Sequence, residues 1–345
     1  MRVRGKYFDV VVYRGGYEIV SKNAKHPKDS EPLPKFEFGG IRRLFFEITD
    51  RCNYRCIHCY NGDSRQETTF IDPDTMKNAL EKINSAYSIE TIQITGGEPT
   101  LHPQLQRIIG TSKKFADYVE IFTNGFLLNE VAPILLTENV RVIVSMYSLN
   151  PQKYAYMTRV PAVDRVIENI LDFYEKGGKI SVRIPVIPGI NDEDARDVIM
   201  FFRAKGIRAS SSIIIPYGRS RDWKASKLRK KRLPSRRNWI FAPIAAAGYS
   251  ECWATHLAVS WNLDVSPCIF AREYKLGNLA ADDIEIIKRN HKAISRAFAP
   301  DLLSDCENCA LRYVCKRCPP RAKAYGVLGK REAHCPFALS LDITQ

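Results

Sequence analysis

The chain has 345 residues and a formal net charge of +14, with 45% hydrophobic and 26% charged residues, a balance typical of globular proteins and a length sufficient for two domains. No apolar run approaches the ~18 residues of a membrane-spanning helix, and Met1-Arg2-Val3-Arg4-Gly5-Lys6 has a signal peptide's charges without the apolar stretch that should follow, so a cytoplasmic protein with no membrane partner is expected. The basicity is local: Arg219 to Arg237 holds ten Lys and Arg against Asp222, a net +9 that leaves +5 for the rest.

In chain order, Tyr7 to Tyr13 and Tyr17 to Val20 flank Arg14-Gly15-Gly16 and predict a short N-terminal β-hairpin, followed by a polar linker to residue 40. From 41 to 218, strand and helix patterns alternate. Strands are expected at Leu44–Ile48, 91–94, 118–122, 140–145, 180–186 and 212–215. Helices are expected at 73–86, 105–115, 131–136, 163–176 and 195–205, the first started by the Asp72 N-cap before Pro73 and the fourth closed by Gly177-Gly178. Six β/α repeats predict an α/β fold built on a parallel, barrel-like sheet. A basic linker at 219–245 and a Cys-rich region at 246–345 complete the chain.

The ten cysteines fall into two groups, three at 52–59 and seven at 252–335. In a reducing compartment such clusters point to metal or cluster ligands rather than disulfides. Cys52, Cys56 and Cys59 are spaced C-x3-C-x2-C directly after a strand. Three thiolates hold three corners of a [4Fe–4S] cube and leave one iron open for chemistry, at the strand end where such folds keep their active sites. Thr95-Gly96-Gly97-Glu98-Pro99 follows the next strand, with two glycines that permit close backbone approach. Cys306-x2-Cys309-x5-Cys315-x2-Cys318 could by itself be a zinc knuckle.

The first two motifs together resemble the Cys-x3-Cys-x-φ-Cys and GGEP signatures of the radical S-adenosylmethionine (SAM) enzymes, with His58 at the φ position. The seven later cysteines, Pro267-Cys268 and Leu276-Gly277-Asn278 resemble the SPASM extension of that superfamily. The resemblance implies a partial (β/α)6 TIM-like barrel followed by a small cluster-binding SPASM domain. It assigns Gly96, Gly97 and Glu98 to the SAM amino group, Ser145 to the ribose, Arg159 to the carboxylate, and Ile187–Asp192 to the adenine-side loop. Thr123-Asn124-Gly125 and Pro216-Tyr217-Gly218-Arg219 fit the same pattern of strand-end residues. It implies three [4Fe–4S] clusters: Cys52, Cys56 and Cys59 for the SAM-binding cluster, Cys252, Cys268 and Cys318 for an inner auxiliary cluster, and Cys306, Cys309, Cys315 and Cys335 for an outer one. The inner cluster then lacks a fourth cysteine, which leaves an open iron or a place for His256, Glu251 or substrate. Two departures stand out: the gap Lys316-Arg317 is one residue short, and Leu263 replaces the glycine expected five residues before Cys268.

The three clusters use all ten cysteines, which disfavours a radical epimerase with a cysteine hydrogen donor. Ile269 stands where sulfatase-maturing relatives carry an acidic base. The expected function is therefore oxidative modification or cross-linking of a ribosomally made peptide, with Arg219–Arg237 and the N-terminal hairpin gripping an acidic leader and a ferredoxin or flavodoxin supplying electrons. The alternatives are a cofactor-pathway enzyme acting on a tetrapyrrole or quinone precursor, and a non-enzymatic zinc-bearing nucleic-acid binder. The last leaves Cys52–Cys59 and Gly96–Pro99 unexplained. Trp223 and Trp239 flank Lys227–Arg232 without interleaving it, so a nucleic-acid partner is not expected.

Overall fold

The computed structural model describes residues 37–62, 69–187, 189–221, 249–250 and 252–299, together with strands β1 (Arg2–Arg4), β2 (Phe8–Tyr13) and β3 (Gly16–Ser21). Two compact units partition the chain: Gly39–Leu228 with Thr255–His291, and Met1–Phe38 with Arg229–Ala254 and Lys292–Gln345. Residues 222–248, which hold the basic segment after Arg221, Glu251, and all cysteines beyond Cys268 lie outside the described residues.

In the first unit, β4 (Gly40–Ile41) and β5 (Arg43–Glu47) lead into α1 (Pro73–Asn84), β6 (Ser88–Ile89) and β7 (Thr91–Thr95). Then come α2 (Leu105–Ser112), β8 (Tyr118–Thr123), α3 (Leu128–Thr137), β9 (Arg141–Ser145), α4 (Pro151–Thr158), α5 (Val163–Glu175), β10 (Ile180–Val186), α6 (Asp194–Ala204) and β11 (Arg208–Ile213). After the basic segment come β12 (His256–Val259), β13 (Asp264–Ser266), β14 (Gly277–Asn278) and α7 (Ile284–Ala297), which belongs to this unit as far as His291. Among the described residues one sheet runs β11-β10-β9-β8-β7-β5-β12-β13-β14.

Strands β5 and β7 to β11 are parallel neighbours, as the alternation predicts. Their inner residues Leu44, Phe46, Ile92, Ile94, Ile121, Val144 and Ile184 are fully buried. Each such side chain contributes about 1.5–3 kcal/mol through burial. Helix α1 buries Met76, Ala79, Leu80 and Ile83 at helical spacing. Its N-terminus is capped as predicted, with Asp72 accepting from Asp74 N (2.9 Å) and Thr75 N (3.0 Å).

Several elements differ from expectation. The last barrel strand begins at Arg208 rather than Ser212, because pairing with β10 from Ser181 onward fixes its register. Helix α3 begins at Leu128, three residues before the expected start. Helices α4 and α7 were not expected. A third strand, β1, joins the N-terminal hairpin of β2 and β3. The sheet also extends beyond the barrel: β12 pairs parallel to β5, with Leu257 opposite Leu44. Leu263, in the turn between β12 and β13, adopts φ 68°. The position where the resemblance expects glycine thus keeps a left-handed backbone with a leucine on it.

In the second unit, β1 to β3 form a three-stranded antiparallel sheet. Trp253 is fully buried and packs its ring 4.5 Å from that of Phe298.

Candidate functional site

The loop after β5 is fixed from three sides. On the first, it is bonded to the Gly-Gly loop after β7. Thr49 O accepts from Gly97 N at 2.8 Å, and Arg51 O accepts from Glu98 N at 2.7 Å. The approach is so close that a Cβ on Gly96 would stand 2.3 Å from Thr49 O, and one on Gly97 would stand 2.0 Å from Arg51 O. Both glycines are required by this contact between loops. On the second side, Arg55 N and Ile57 N donate to Thr158 O (3.2 Å) and Met157 O (2.9 Å) at the end of α4. On the third, Arg219 donates through its backbone N to Cys59 O (3.0 Å) and through Nη1 to Cys56 O (3.0 Å). Gly218 permits this clasp, since its Cβ would lie 2.3 Å from Cys59 O. Cys52, Cys56 and Cys59 are all half-buried on this loop.

Glu98 is buried at 1% exposure and holds two strand ends together. Its Oε1 accepts from Thr100 N (3.0 Å), Thr100 Oγ1 (2.6 Å) and Thr123 Oγ1 (2.7 Å), and its Oε2 from Asn124 N (2.7 Å). Burial pushes its carboxyl above the usual carboxylate range, and these donors oppose the shift. Asn124 in turn donates from Nδ2 to Asn53 Oδ1 at 2.7 Å, which ties β8 to the cysteine loop. The Gly97 carbonyl has no hydrogen-bond partner among the described residues.

His58 rests against Tyr147, with ring centroids 5.0 Å apart. Burial lowers its pKa to about 4, so the imidazole is neutral, and its Nδ1 is a buried polar atom with no hydrogen-bond partner among the described residues. Tyr147 Oη lies 4.0 Å from Cys56 Sγ. Ser145 stands half-buried at the end of β9. Arg159 is exposed, caps α4 with φ 66°, and lays its guanidinium 5.1 Å over the Tyr156 ring. Asn191 donates to Tyr147 O (2.8 Å) and Pro185 O (3.0 Å), which fixes the loop after β10.

Cys52, Cys56, Cys59, His58, Gly96, Gly97 and Glu98 therefore share one loop assembly, with Ser145 and Arg159 at the neighbouring strand and helix ends. Cys268 is buried and Cys252 half-buried; Cys306, Cys309, Cys315, Cys318 and Cys335 lie outside the described residues. His256 is buried on β12, its ring stacked 6.0 Å from that of Phe45.

The residues present fit a cluster and SAM. Three cysteines on one fixed loop are the donor set of a site-differentiated cube. The buried His58 Nδ1 and the partly exposed Gly97 carbonyl, both without a hydrogen-bond partner among the described residues, are polar atoms open to a ligand. Among the described residues no three His, Cys, Asp or Glu side chains converge on a single metal ion, whereas a cube takes each thiolate on a separate iron.

Two groups were not singled out from sequence. Glu47, the one acid in an apolar strand, is buried at the end of β5 and pairs with Arg272, which also donates to Asn61 Oδ1. Burial raises the Glu47 carboxyl, and Arg272 draws it back down. The part-buried bond from Asn124, a residue of the strand-end pattern, to Asn53 is the other. The acid in Leu44-Phe45-Phe46-Glu47-Ile48 was the available signal for the first, since an unpaired buried charge is not tolerated.

The family model of the Radical SAM superfamily matches residues 46–202, and that of an iron-sulfur cluster-binding domain, SPASM, matches residues 252–319. The GTP 3',8-cyclase of Aquifex aeolicus is 31% identical over 198 residues, covering 54% of this chain and 61% of that protein. The GTP 3',8-cyclase of Peptoclostridium acidaminophilum is 31% identical over 195 residues, covering 54% and 60%. The chain thus spans about 60% of the length of these curated relatives. In fold, it resembles Streptococcus suis SuiB bound to precursor peptide SuiA, with TM-score 0.64, 17% identity, and coverage of 86% of this chain and 76% of that one. It also resembles anSMEcpe with bound AdoMet, with TM-score 0.63, 14% identity, and coverage of 88% and 96%. These two likenesses carry the fold alone. The expectation of a peptide-modifying maturase is corrected here: the sequence relatives are named as cyclases of GTP, a small molecule. The cysteine count underlying that expectation bears on clusters and does not distinguish a peptide from a small substrate.

Proposed function

We propose, from the premise that this chain belongs to the radical SAM superfamily and carries a SPASM iron-sulfur cluster-binding domain, that it performs reductive SAM cleavage to modify a small-molecule precursor in cofactor biosynthesis. One observation carries the reading: a loop with three half-buried cysteines, bonded to the Gly96–Glu98 loop, the end of α4 and Arg219. The sequence similarity to cyclases of a nucleotide supports the substrate class.

Cys52, Cys56 and Cys59 would hold the SAM-binding [4Fe–4S] cluster and leave one iron open. When bound, that cluster would supply the electron for reductive C–S cleavage of SAM and so the radical chemistry that activates a substrate C–H bond. The chain's own groups bind and orient. The unpaired Gly97 carbonyl is an acceptor for the SAM ammonium, on a loop that Glu98 holds rigid from behind. Ser145 offers a hydroxyl to the ribose and Arg159 a charge to the carboxylate. The neutral His58 ring packs beside the cysteines and keeps water from them. Cys252, Cys268 and Cys318, and Cys306, Cys309, Cys315 and Cys335, would hold two further clusters. A ferredoxin or flavodoxin is the fitting electron donor.

The test is anaerobic incubation of iron-loaded protein with SAM and dithionite, with and without GTP, a tetrapyrrole precursor or a quinone precursor. Formation of 5′-deoxyadenosine, raised by one of these compounds and consumed in its modification, supports the reading. Its absence throughout overturns the enzyme assignment. Stimulation by a peptide alone overturns the substrate class.

A further inference from the structure

We propose that Arg272 is a substrate-anchoring residue, held by Glu47 and Asn61 so that it receives an oxyanion of a flat, aromatic or heteroaromatic substrate beside the cysteine loop. The inference rests on the small-molecule reading above and adds the chemistry that would recognise the substrate.

Glu47 ends β5, in register with Thr95 of β7, and is 2% exposed. Its Oε1 accepts from Arg272 Nη2, which also donates to Asn61 Oδ1. Those two bonds occupy both hydrogens of Nη2. Of the five guanidinium N–H donors, the three on Nε and Nη1 have no partner among the described residues. The Arg272 side chain keeps 29% of its surface open. A buried ion pair is rarely a net gain for stability over apolar residues of the same size. One placed at the C-terminal end of a barrel strand, where such folds bind their ligands, is better explained as a device that aims the guanidinium.

The surroundings narrow the ligand. Tyr60, the residue after Cys59, lays its ring 5.3 Å from the Arg272 guanidinium. Its Oη donates to Gly96 O at 3.3 Å, which fixes the ring. Phe270 packs 5.6 Å from Tyr60 and 6.5 Å from Tyr217. A planar cation next to an aromatic wall matches a planar body with an acid group. Phosphate and carboxylate share this chemistry. The position also couples two parts of the chain: Arg272 lies four residues after Cys268, while Asn61 and Tyr60 flank Cys59.

The experiment is calorimetric titration of iron-loaded full-length protein with GTP for the phosphate arm and 4-hydroxybenzoate for the carboxylate arm. Wild type is expected to bind one of them. Arg272→Lys, which keeps a counter-charge for Glu47 but loses the fork, is expected to weaken that binding at least tenfold. The paired Glu47→Gln, Arg272→Gln variant, which leaves no buried charge unpaired, is expected to do the same while keeping its iron content and melting temperature. Equal binding by wild type and both variants, or no binding of either probe by wild type, overturns the proposal. Formation of 5′-deoxyadenosine by wild type is scored in parallel. If it fails, the enzyme reading falls; if it succeeds while binding ignores Arg272, only the anchoring role falls.

Discussion

Replacement of Glu98 by glutamine isolates what this buried carboxylate does. Its Oε1 accepts three hydrogen bonds, from Thr100 N, Thr100 Oγ1 and Thr123 Oγ1, and its Oε2 accepts one, from Asn124 N. A glutamine has a single acceptor oxygen, which will take the three-donor position. Its amide then faces Asn124 N–H, donor against donor, and that amide is left buried without an acceptor. One such unsatisfied group, with the loss of a bond to a charged acceptor, costs about 2–3 kcal/mol. At roughly 2–4 °C per kcal/mol for a domain of this size, the melting temperature falls by about 5–10 °C. Glu98→Ala strands both backbone amides and opens a void, so its loss exceeds that of glutamine. Thermal unfolding followed by circular dichroism, on protein freed of iron, reads the effect without cluster contributions. A Glu98→Gln protein melting within about 1 °C of wild type would refute the assignment of Glu98 as the tie between the β7 and β8 loops.

Gly97→Ala places a Cβ 2.0 Å from Arg51 O and 2.5 Å from Arg51 C, a backbone clash that costs more than about 4 kcal/mol; little soluble protein and no iron loading are expected, checked by yield and iron assay. Arg219→Ala removes the Nη1 bond to Cys56 O, worth about 1 kcal/mol, so iron is expected to pass to a chelator about fivefold faster in a stopped-flow absorbance trace. Cys335→Ser is expected to lower iron from about twelve to about eight per chain if it is an outer-cluster ligand, read by iron and sulfide analysis; an unchanged count removes it from that role.

The parallel strands were legible because each is a short apolar run set between helix patterns, and Thr91–Thr95 is buried at every position. Helix α4 was missed because Pro151-Gln152-Lys153-Tyr154-Ala155-Tyr156-Met157-Thr158 shows only a weak apolar stripe. Its start signals were nonetheless present, with Asn150 capping Lys153 N at 3.0 Å before Pro151. The pairing of β12 with β5 joins segments about two hundred residues apart, and nothing local in His256–Val259 names its partner. The cysteine loop and Gly-Gly loop were legible as motifs. That they bond to each other, and that Glu98 reaches Thr123 and Asn124, depends on which strand lies beside which. The substrate class was misread because cysteine arithmetic constrains the clusters and carries no information about the molecule in the barrel mouth.

The most direct test compares wild type with the Cys52→Ala, Cys56→Ala, Cys59→Ala protein, both reconstituted anaerobically with iron and sulfide and given SAM and dithionite. Wild type is expected to release 5′-deoxyadenosine and methionine, and the triple variant neither, while it keeps the iron of its remaining cysteines. Equal product from both proteins, or a wild type that carries zinc without sulfide and leaves SAM intact, would contradict the account.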